Sequence, residues 1–449
     1  MRESTGDERA VAPSRAISGW TTALVCVAIV AGGVMAGGLL HEPNHELTTA
    51  PPTTTSASPQ PDRERTSVTP PVTYPTQIPG CAVVEPPGDG GLFGWVTTDE
   101  AGYDNPAYPW FSGPKAVAMS EALRAALPDG VAIDFAPADR SLFFRPILEV
   151  PEPAEFGGHT NADATVRRGD RAGWMSVTVR QSSDPVRPCV AGELDERRHL
   201  ADGTTVDTQD TWSETDGVRT LSHSATAYLP DGSVIGAYAT NAAGEAGPSG
   251  DVPLTIDELV ALVTAPGLAV TAPVPPGTPG PPEACHTGFD ETPTIAEPTA
   301  RRLNAVLAGI RLDGVTLDRP LGDLRPGGWD DGGLCQTVHA DAAGQQSRLS
   351  ITITTGHAVP AETGPSSSLG DRVATRRTLP DGSVVENEES TVGVASQSGV
   401  PGTERTRSVT VTHPSGTRIE VSSRADDPGQ PLPAAQLETI ALTPGLEAS

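Results

Sequence analysis

Lysine is almost absent from this chain: Lys115 stands alone among 30 basic residues, against 57 acidic ones, for a formal charge of −27 over 449 residues. That balance argues against nucleic acid as a partner, because affinity for a phosphate backbone rests on clustered Lys and Arg displacing counterions. Aromatic residues are scarce, at 4%. Chemical motifs are missing as well: the sequence contains no G-x-S-x-G, H-E-x-x-H, G-K-[ST], strand-to-helix G-x-G-x-x-G or EF-hand spacing. The familiar hydrolases, zinc peptidases and nucleotide enzymes are therefore unsupported, and no catalytic residue is assigned. No C-x-x-C or Cys/His spacing suggests zinc or redox chemistry. Loop acids such as Asp89 and Asp330-Asp331 are too few for calcium. No metal and no cofactor is expected.

What is present first is one long apolar run. From Ile17 to Leu40 no residue carries a formal charge, and Thr21 to Leu40 is about the 20 residues that cross a ~30 Å hydrocarbon layer as a helix. Arg2, Arg9 and Arg15 precede the run, whereas the next basic residue after it is Arg63. The positive-inside rule then predicts a cytoplasmic tail (1–16), a transmembrane helix (17–40) and everything beyond on the outer side. The alternative is a signal peptide cleaved near Ala36, but the run exceeds the usual h-region. Gly33 and Gly37 form a G-x-x-x-G pair through which two spans could associate as a homodimer. Residues 41–79 are rich in Pro, Thr and Ser and read as a disordered stalk.

Beyond the stalk the chain says the same thing twice. Leu254 to Val263, running into Pro266-Gly267-Leu268, recurs without a gap as Leu432 to Ala441 running into Pro444-Gly445-Leu446. Upstream, Leu200-Ala201-Asp202-Gly203 recurs as Leu379-Pro380-Asp381-Gly382, and Pro230 to Ile235 as Pro414 to Ile419. A duplicated unit sets domain number and boundaries: module one (80–270), a proline-rich linker (271–282) and module two (283–449). The linker predicts semi-rigid spacing rather than fusion. Each module opens with an amphipathic helix, carried by Met119, Leu123, Ala126 and Leu127 in one and Leu303, Val306, Leu307 and Ile310 in the other. Asp129-Gly130 and Asp313-Gly314 are expected to cap these helices. Period-two alternation follows, with Met175, Val177 and Val179 matched by Leu349, Ile351 and Ile353. Asp-Gly or Ser-Gly hairpins at 202–203, 231–232, 381–382 and 415–416 come next. The expected class is α+β: in each module an antiparallel meander sheet of five or six strands with an N-terminal and a C-terminal helix.

Apart from Cys26 in the apolar run, the four cysteines fall two per module, which predicts Cys81–Cys189 and Cys285–Cys335 disulfides in an oxidising compartment. His223 aligns with Arg407 and His413 with Leu229, and neither pairs with a second titratable group at a repeated position, so ordinary capping roles are expected. Asp134 and Asp318 recur at the ends of short strands, where turn amides usually engage them. One segment breaks the repeat. Between Cys81 and the first helix, module one carries an insertion with Phe93, Trp95, Tyr103, Tyr108, Trp110 and Phe111, a third of the chain's aromatics. With Asp99 and Asp104 among them, Trp95, Tyr103, Tyr108, Trp110 and Phe111 form a candidate ligand surface of the kind that stacks on sugars or clamps peptides, or else an aromatic plug over one end of the sheet.

The LPDG hairpin and the terminal helix ending in Pro-Gly-Leu resemble membrane-anchored extracytoplasmic proteins of high-GC Gram-positive, actinobacterial type, a general class rather than a named family. The resemblance covers residues 17–449 and carries no functional residues across. It implies a single-pass cell-envelope protein that works by binding, its partners being the membrane and a cell-wall glycan or envelope protein, with no enzyme activity indicated. A transmembrane regulator such as an anti-sigma factor is an alternative, disfavoured by so short a cytoplasmic tail. A cell-wall hydrolase would need a catalytic constellation that the sequence does not offer.

Overall fold

In the computed structural model the described residues are 66–71, 77–87, 99–100, 102–149, 158–244, 247–287, 292–328, 332–360, 372–395 and 401–448. They belong to one compact unit, 65–449. The apolar run, Gly33 and Gly37, most of the stalk and Trp95 lie outside the described residues, among which no helix is long and apolar enough to cross a membrane.

Alternating apolar and polar residues build two sheets of one connectivity. In module one the strands are β1 (His159–Arg168), β2 (Arg171–Gln181), β3 (Glu196–His199), β4 (Thr205–Thr215), β5 (Val218–Tyr228) and β6 (Ser233–Thr240). In module two they are β7 (Leu334–Ala342), β8 (Gln345–Thr354), β9 (Arg372–Thr378), β10 (Val384–Ala395), β11 (Pro401–Thr412) and β12 (Arg418–Asp426). The orders are β1-β2-β6-β5-β4-β3 and β7-β8-β12-β11-β10-β9, antiparallel throughout. A short edge strand adds to each: Ala132–Ile133 on β1 and Val315–Leu317 on β7.

This differs from a continuous meander at one place. The hairpin β1-β2 and the meander β3 to β6 are joined so that β6, not β3, docks on β2. The tight turns explain which neighbours are local. Asp216-Gly217 and Ala343-Gly344 all have positive φ (52°, 80°, 55° and 80°), the type I′ geometry that matches strand twist. In the turns at 202–203, 231–232 and 381–382 the Asp carboxylate accepts from the backbone N–H two residues on, each at 2.9 Å.

Two helices cover one face of each sheet: α1 (Gly113–Ala125) and α2 (Ile256–Val263) in module one, α3 (Glu297–Leu307) and α4 (Ala434–Ala441) in module two. Gly130 and Gly314 are left-handed as expected, but they do not cap the helices. Ala126 and Ala308 are the C-cap residues, and the glycines lie in the turn that follows, where Val131 N–H reaches Pro128 O and Val315 N–H reaches Leu312 O. Met119, Leu123, Leu259 and Leu262 bury fully against Met175, Val177, Ile235 and Ala237. Leu303, Leu307, Leu437 and Ile440 do the same against Leu349, Ile351, Ile419 and Val421. The Pro-Gly-Leu turn closes each core by lying on the opening helix. A Cβ on Gly267 would sit 2.4 Å from that of Ala122, and one on Gly445 3.3 Å from Val306 Cγ2.

Both disulfides form within modules: Cys81–Cys189 ties the opening segment to the β2–β3 connection, and Cys285–Cys335 ties it to β7. Register shows why they are not equivalent, since Cys335 holds in β7 the place of Asn161 in β1.

The linker does not hold the modules apart. Pro281 packs against Gly113, and Arg319 donates to the Gly280 and Pro281 carbonyls at 2.9 and 3.1 Å. Lys115, 3% exposed, donates from Nζ to Ala269 O at 2.9 Å and to Ala272 O, fixing the linker's start to α1. Phe135 of module one packs against module two's core. Proline supplies stiffness here, but the apolar and carbonyl surface it presents is taken up by both neighbours.

Candidate functional site

The described part of the aromatic insertion turns its rings inward. Phe111 is 3% exposed, 5.3 Å from the Trp110 ring and 6.0 Å from that of Tyr103, whose hydroxyl donates to Phe144 O at 3.0 Å. Tyr108 packs on the same core. Asp104, with φ of 65°, accepts weakly from Gly113 N–H at 3.4 Å at the start of α1. Asp99 lies in a two-residue strand (Asp99–Glu100) that pairs with Leu148–Glu149 and extends the sheet edge. Tyr103, Tyr108, Trp110 and Phe111 form a covering layer over module one's core, and none of the four lines the cleft described next.

That cleft, about 540 Å³, lies where the modules meet. The outer face of module one's sheet contributes Asp163, Thr165 and Trp174. The segment after the edge strand contributes Asp134, Phe135, Arg140 and Arg145. Module two closes it with Ile295, Pro326 and Gly327. Its size falls within the range of small-ligand sites, roughly 300–1,000 Å³.

Alternation in β2 puts Met175 into the core and Trp174 outside, where the indole remains 39% exposed. Tyr238, outward on β6 and 40% exposed, meets it edge-to-face at 6.0 Å. The two rings together make a small apolar patch on an otherwise polar outer face. The duplication sharpens the point, for the equivalent outward positions in module two are Arg348 on β8 and Ser422 on β12. A sheet of this connectivity closes without the pair.

The acids of the cleft are already engaged. Asp134 accepts from Arg167 Nε at 2.6 Å, which raises the Arg167 pKa through that hydrogen bond. Asp163 is bound by Arg145 Nη2 and by Asn161 Nδ2 at 3.0 Å. Arg145 Nε and Asp163 Oδ1 are enclosed without a partner, an arrangement that typically costs about 1–3 kcal/mol per group. Two further arginines meet beside the cleft, one of them, Arg325, paired with Asp323 at 3.1 Å. Arg124 Nε donates to Ser141 O at 3.1 Å while module two's Arg325 reaches Ser141 Oγ at 3.4 Å. Burial, and then the Arg325 charge, lower the Arg124 pKa. Arg140, adjacent in the chain, is exposed and makes no ion pair among the described residues.

The repeated acids Asp134 and Asp318 are held structurally: Asp318 accepts from His339 N–H at 2.8 Å and from Arg319 at 3.0 Å. The histidine expectation needs correction. His223 Nδ1 lies 2.7 Å from Leu254 O and its Nε2 3.5 Å from Asp210; Arg407 donates to Leu432 O at 2.9 Å and to Glu389 at 2.8 Å. Asp210–His223 and Glu389–Arg407 are the same cross-strand pair in the two copies, and Leu254 and Leu432 are equivalent residues. The role is therefore duplicated although the residue type is not. Among the described residues no group of acids, histidines or cysteines is placed to hold a metal ion.

The alternation of Met175, Val177 and Val179 already labels the outer face for Trp174, whereas its meeting with Tyr238 depends on β6 docking on β2, which no local period reports. Arg140 and Arg145 lie in an irregular segment where no period applies.

No family model matches the chain, and no curated protein does. Among solved structures it is similar to the di-domain ARO/CYC StfQ from the steffimycin biosynthetic pathway, at 10% identity over 79% of this chain and 89% of that one. The TM-score is 0.14, too low for the likeness to bear on fold or function.

Proposed function

We propose that this is a membrane-anchored, extracytoplasmic binding protein, held by one N-terminal span with its tail in the cytoplasm, and that it takes its ligand in the cleft between its modules. The observation that carries the binding role is the outward pair formed by Trp174, which lines the cleft, and Tyr238, which meets it edge-to-face, the two replaced by Arg348 and Ser422 in module two. Two intramodular disulfides agree with an oxidising compartment. The uncharged run from Ile17 to Leu40 and the Arg residues before it support the anchor and its direction. Association of two spans through Gly33 and Gly37, and actinobacterial-type envelope display, belong to the same reading.

The test combines topology and retention. Protease added outside intact cells should remove both modules and leave an N-terminal fragment of tail and span in the membrane. The full-length protein, solubilised in detergent, should be retained on membrane-free cell-wall fractions, and Trp174→Ala with Tyr238→Ala should release it without lowering its melting temperature. Modules protected from external protease, or retention unaffected by the double substitution, would refute the proposal.

A further inference from the structure

We infer that the inter-module cleft recognises an acidic saccharide, a pyranose carrying a carboxylate; this rests on the binding role just proposed and specifies its ligand. Three features lead there. First, Trp174 and Tyr238 offer large, rigid, exposed faces at the rim, and the apolar face of a pyranose covers such a ring while its hydroxyls stay free for polar contacts. Second, the cleft lining carries two acids and two arginines, and Arg140 is the one of the four that makes no ion pair among the described residues. Asp134 and Asp163 are neutralised by Arg167 and Arg145. A guanidinium presents a planar donor fork matched to a carboxylate. Third, the Arg145–Asp163 pair retains one unmade donor, Nε–H, and one unmade acceptor, Oδ1. A single hydroxyl both accepts and donates, so one sugar hydroxyl satisfies the two together once Arg145, about a third exposed, swings outward. A phosphate or a bare carboxylate could take the donor and would repel the acceptor.

The three chemistries occupy different walls. Stacking comes from Trp174 on β2, backed by Tyr238, charge from the segment carrying Arg140, and the hydroxyl clamp from Arg145 with β1. Pro326 and Ile295 of module two bound the far side, so the second copy limits what size of ring enters.

The experiment is calorimetry on the full-length protein in detergent micelles. The probe is the disaccharide of N-acetylglucosamine and N-acetylmuramic acid, which bears a free carboxylate; chitobiose in its N,N′-diacetyl form is the neutral counterpart. The acidic disaccharide should bind at least about tenfold more tightly than chitobiose, the difference of one charge-assisted contact. Trp174→Ala should weaken both by about tenfold or more, and Trp174→Phe should restore most of the loss. Arg140→Gln should abolish the preference for the acidic sugar without lowering the melting temperature. Equal affinity for the two sugars, or an Arg140→Gln variant that keeps the preference, overturns the acidic assignment. If neither sugar binds yet the detergent-solubilised protein is still retained on membrane-free cell-wall fractions through Trp174 and Tyr238, the saccharide assignment fails and the binding role stands. Loss of that retention would instead remove the binding role itself.

Discussion

The duplicated clasp is the most informative place to perturb this fold, because nature has already performed one substitution there. Arg407 ties β11 to the segment entering α4: its guanidinium donates to the carbonyls of Leu432 at 2.9 Å and Pro431 at 3.3 Å and to Glu389 at 2.8 Å, with the side chain 23% exposed. Arg407→Ala removes a charge-assisted bond to a largely shielded carbonyl, about 1.5–3 kcal/mol. The ion pair adds little, because Glu389 is 54% exposed and solvent-screened pairs contribute roughly 0.2–1 kcal/mol. A loss of about 2–3 kcal/mol follows, which for a module of this size lowers the melting temperature by roughly 4–12 °C. Arg407→His should lose distinctly less, since His223 makes the equivalent contacts to Leu254 O and Asp210 in module one. The assay is urea unfolding of both variants at neutral pH, followed by near-ultraviolet dichroism. If His proved as damaging as Ala, or if Ala cost less than about 0.5 kcal/mol, below what any shielded charge-assisted bond contributes, the equivalence of the two clasps would be wrong.

Other consequences can be measured on the same material. Gly267→Ala forces a methyl to within 2.4 Å of Ala122 and should destabilise module one by about 1–3 kcal/mol as an overpacked contact, read as a lower urea midpoint. Phe111→Ala should cost about 3–5 kcal/mol as a core truncation, whereas Trp174→Ala should leave the midpoint unchanged. The Glu258 carboxyl is held below its ordinary range first by Arg168 and then by the Thr255 cap, against the opposing effect of burial. Its contribution is therefore complete above the unfolded value near 4.5 and is lost as pH falls through the lower folded value; Glu258→Gln should flatten the acid limb of a stability-versus-pH profile. Mass spectrometry of the mature chain should find residue 1 or 2 at the N-terminus, whereas a terminus at Gly37 would mean cleavage after Ala36.

The order of elements was legible because the repeat supplied two readings of each. Alternation at Met175 and Leu349, the Asp-Gly turns and the apolar stripes of α1 and α3 each reported a local period that burial enforces. The docking of β6 on β2 was not legible, since strand order is decided by contacts far apart in sequence. The glycines at 130 and 314 misled for a simple reason: left-handed φ serves a turn as well as a helix cap, and the sequence does not say which. The linker misled for another, because a proline-rich composition describes a free chain and not what its neighbours offer it. The aromatic insertion was correctly singled out as the place where the copies differ. Whether its rings face in or out depends on the edge strand at 99–100 and on the buried Phe144, whose carbonyl Tyr103 binds, and no spacing rule reports that.

Comparing the copies also separates fold from function more sharply than either copy could alone. Positions that keep their role under substitution, such as His223 with Arg407 or Arg197–Asp207 with Arg376–Glu386, hold the meander and its approach to the terminal helix together in both modules. Arg145 and Arg325 are equivalent in register, yet they act differently. Arg145 closes on Asp163, while Arg325, with Thr337 where that carboxylate would be, pairs with Asp323 and reaches across to Ser141 of module one. The same arginine position thus builds the cleft wall in one copy and the contact that joins the copies in the other. Replacing Thr337 by Asp should recapture Arg325 within module two and weaken its bond to Ser141. If the cleft depends on that bond, the substitution should loosen ligand binding several-fold while leaving each module folded, a result that separate, independently binding modules would not produce.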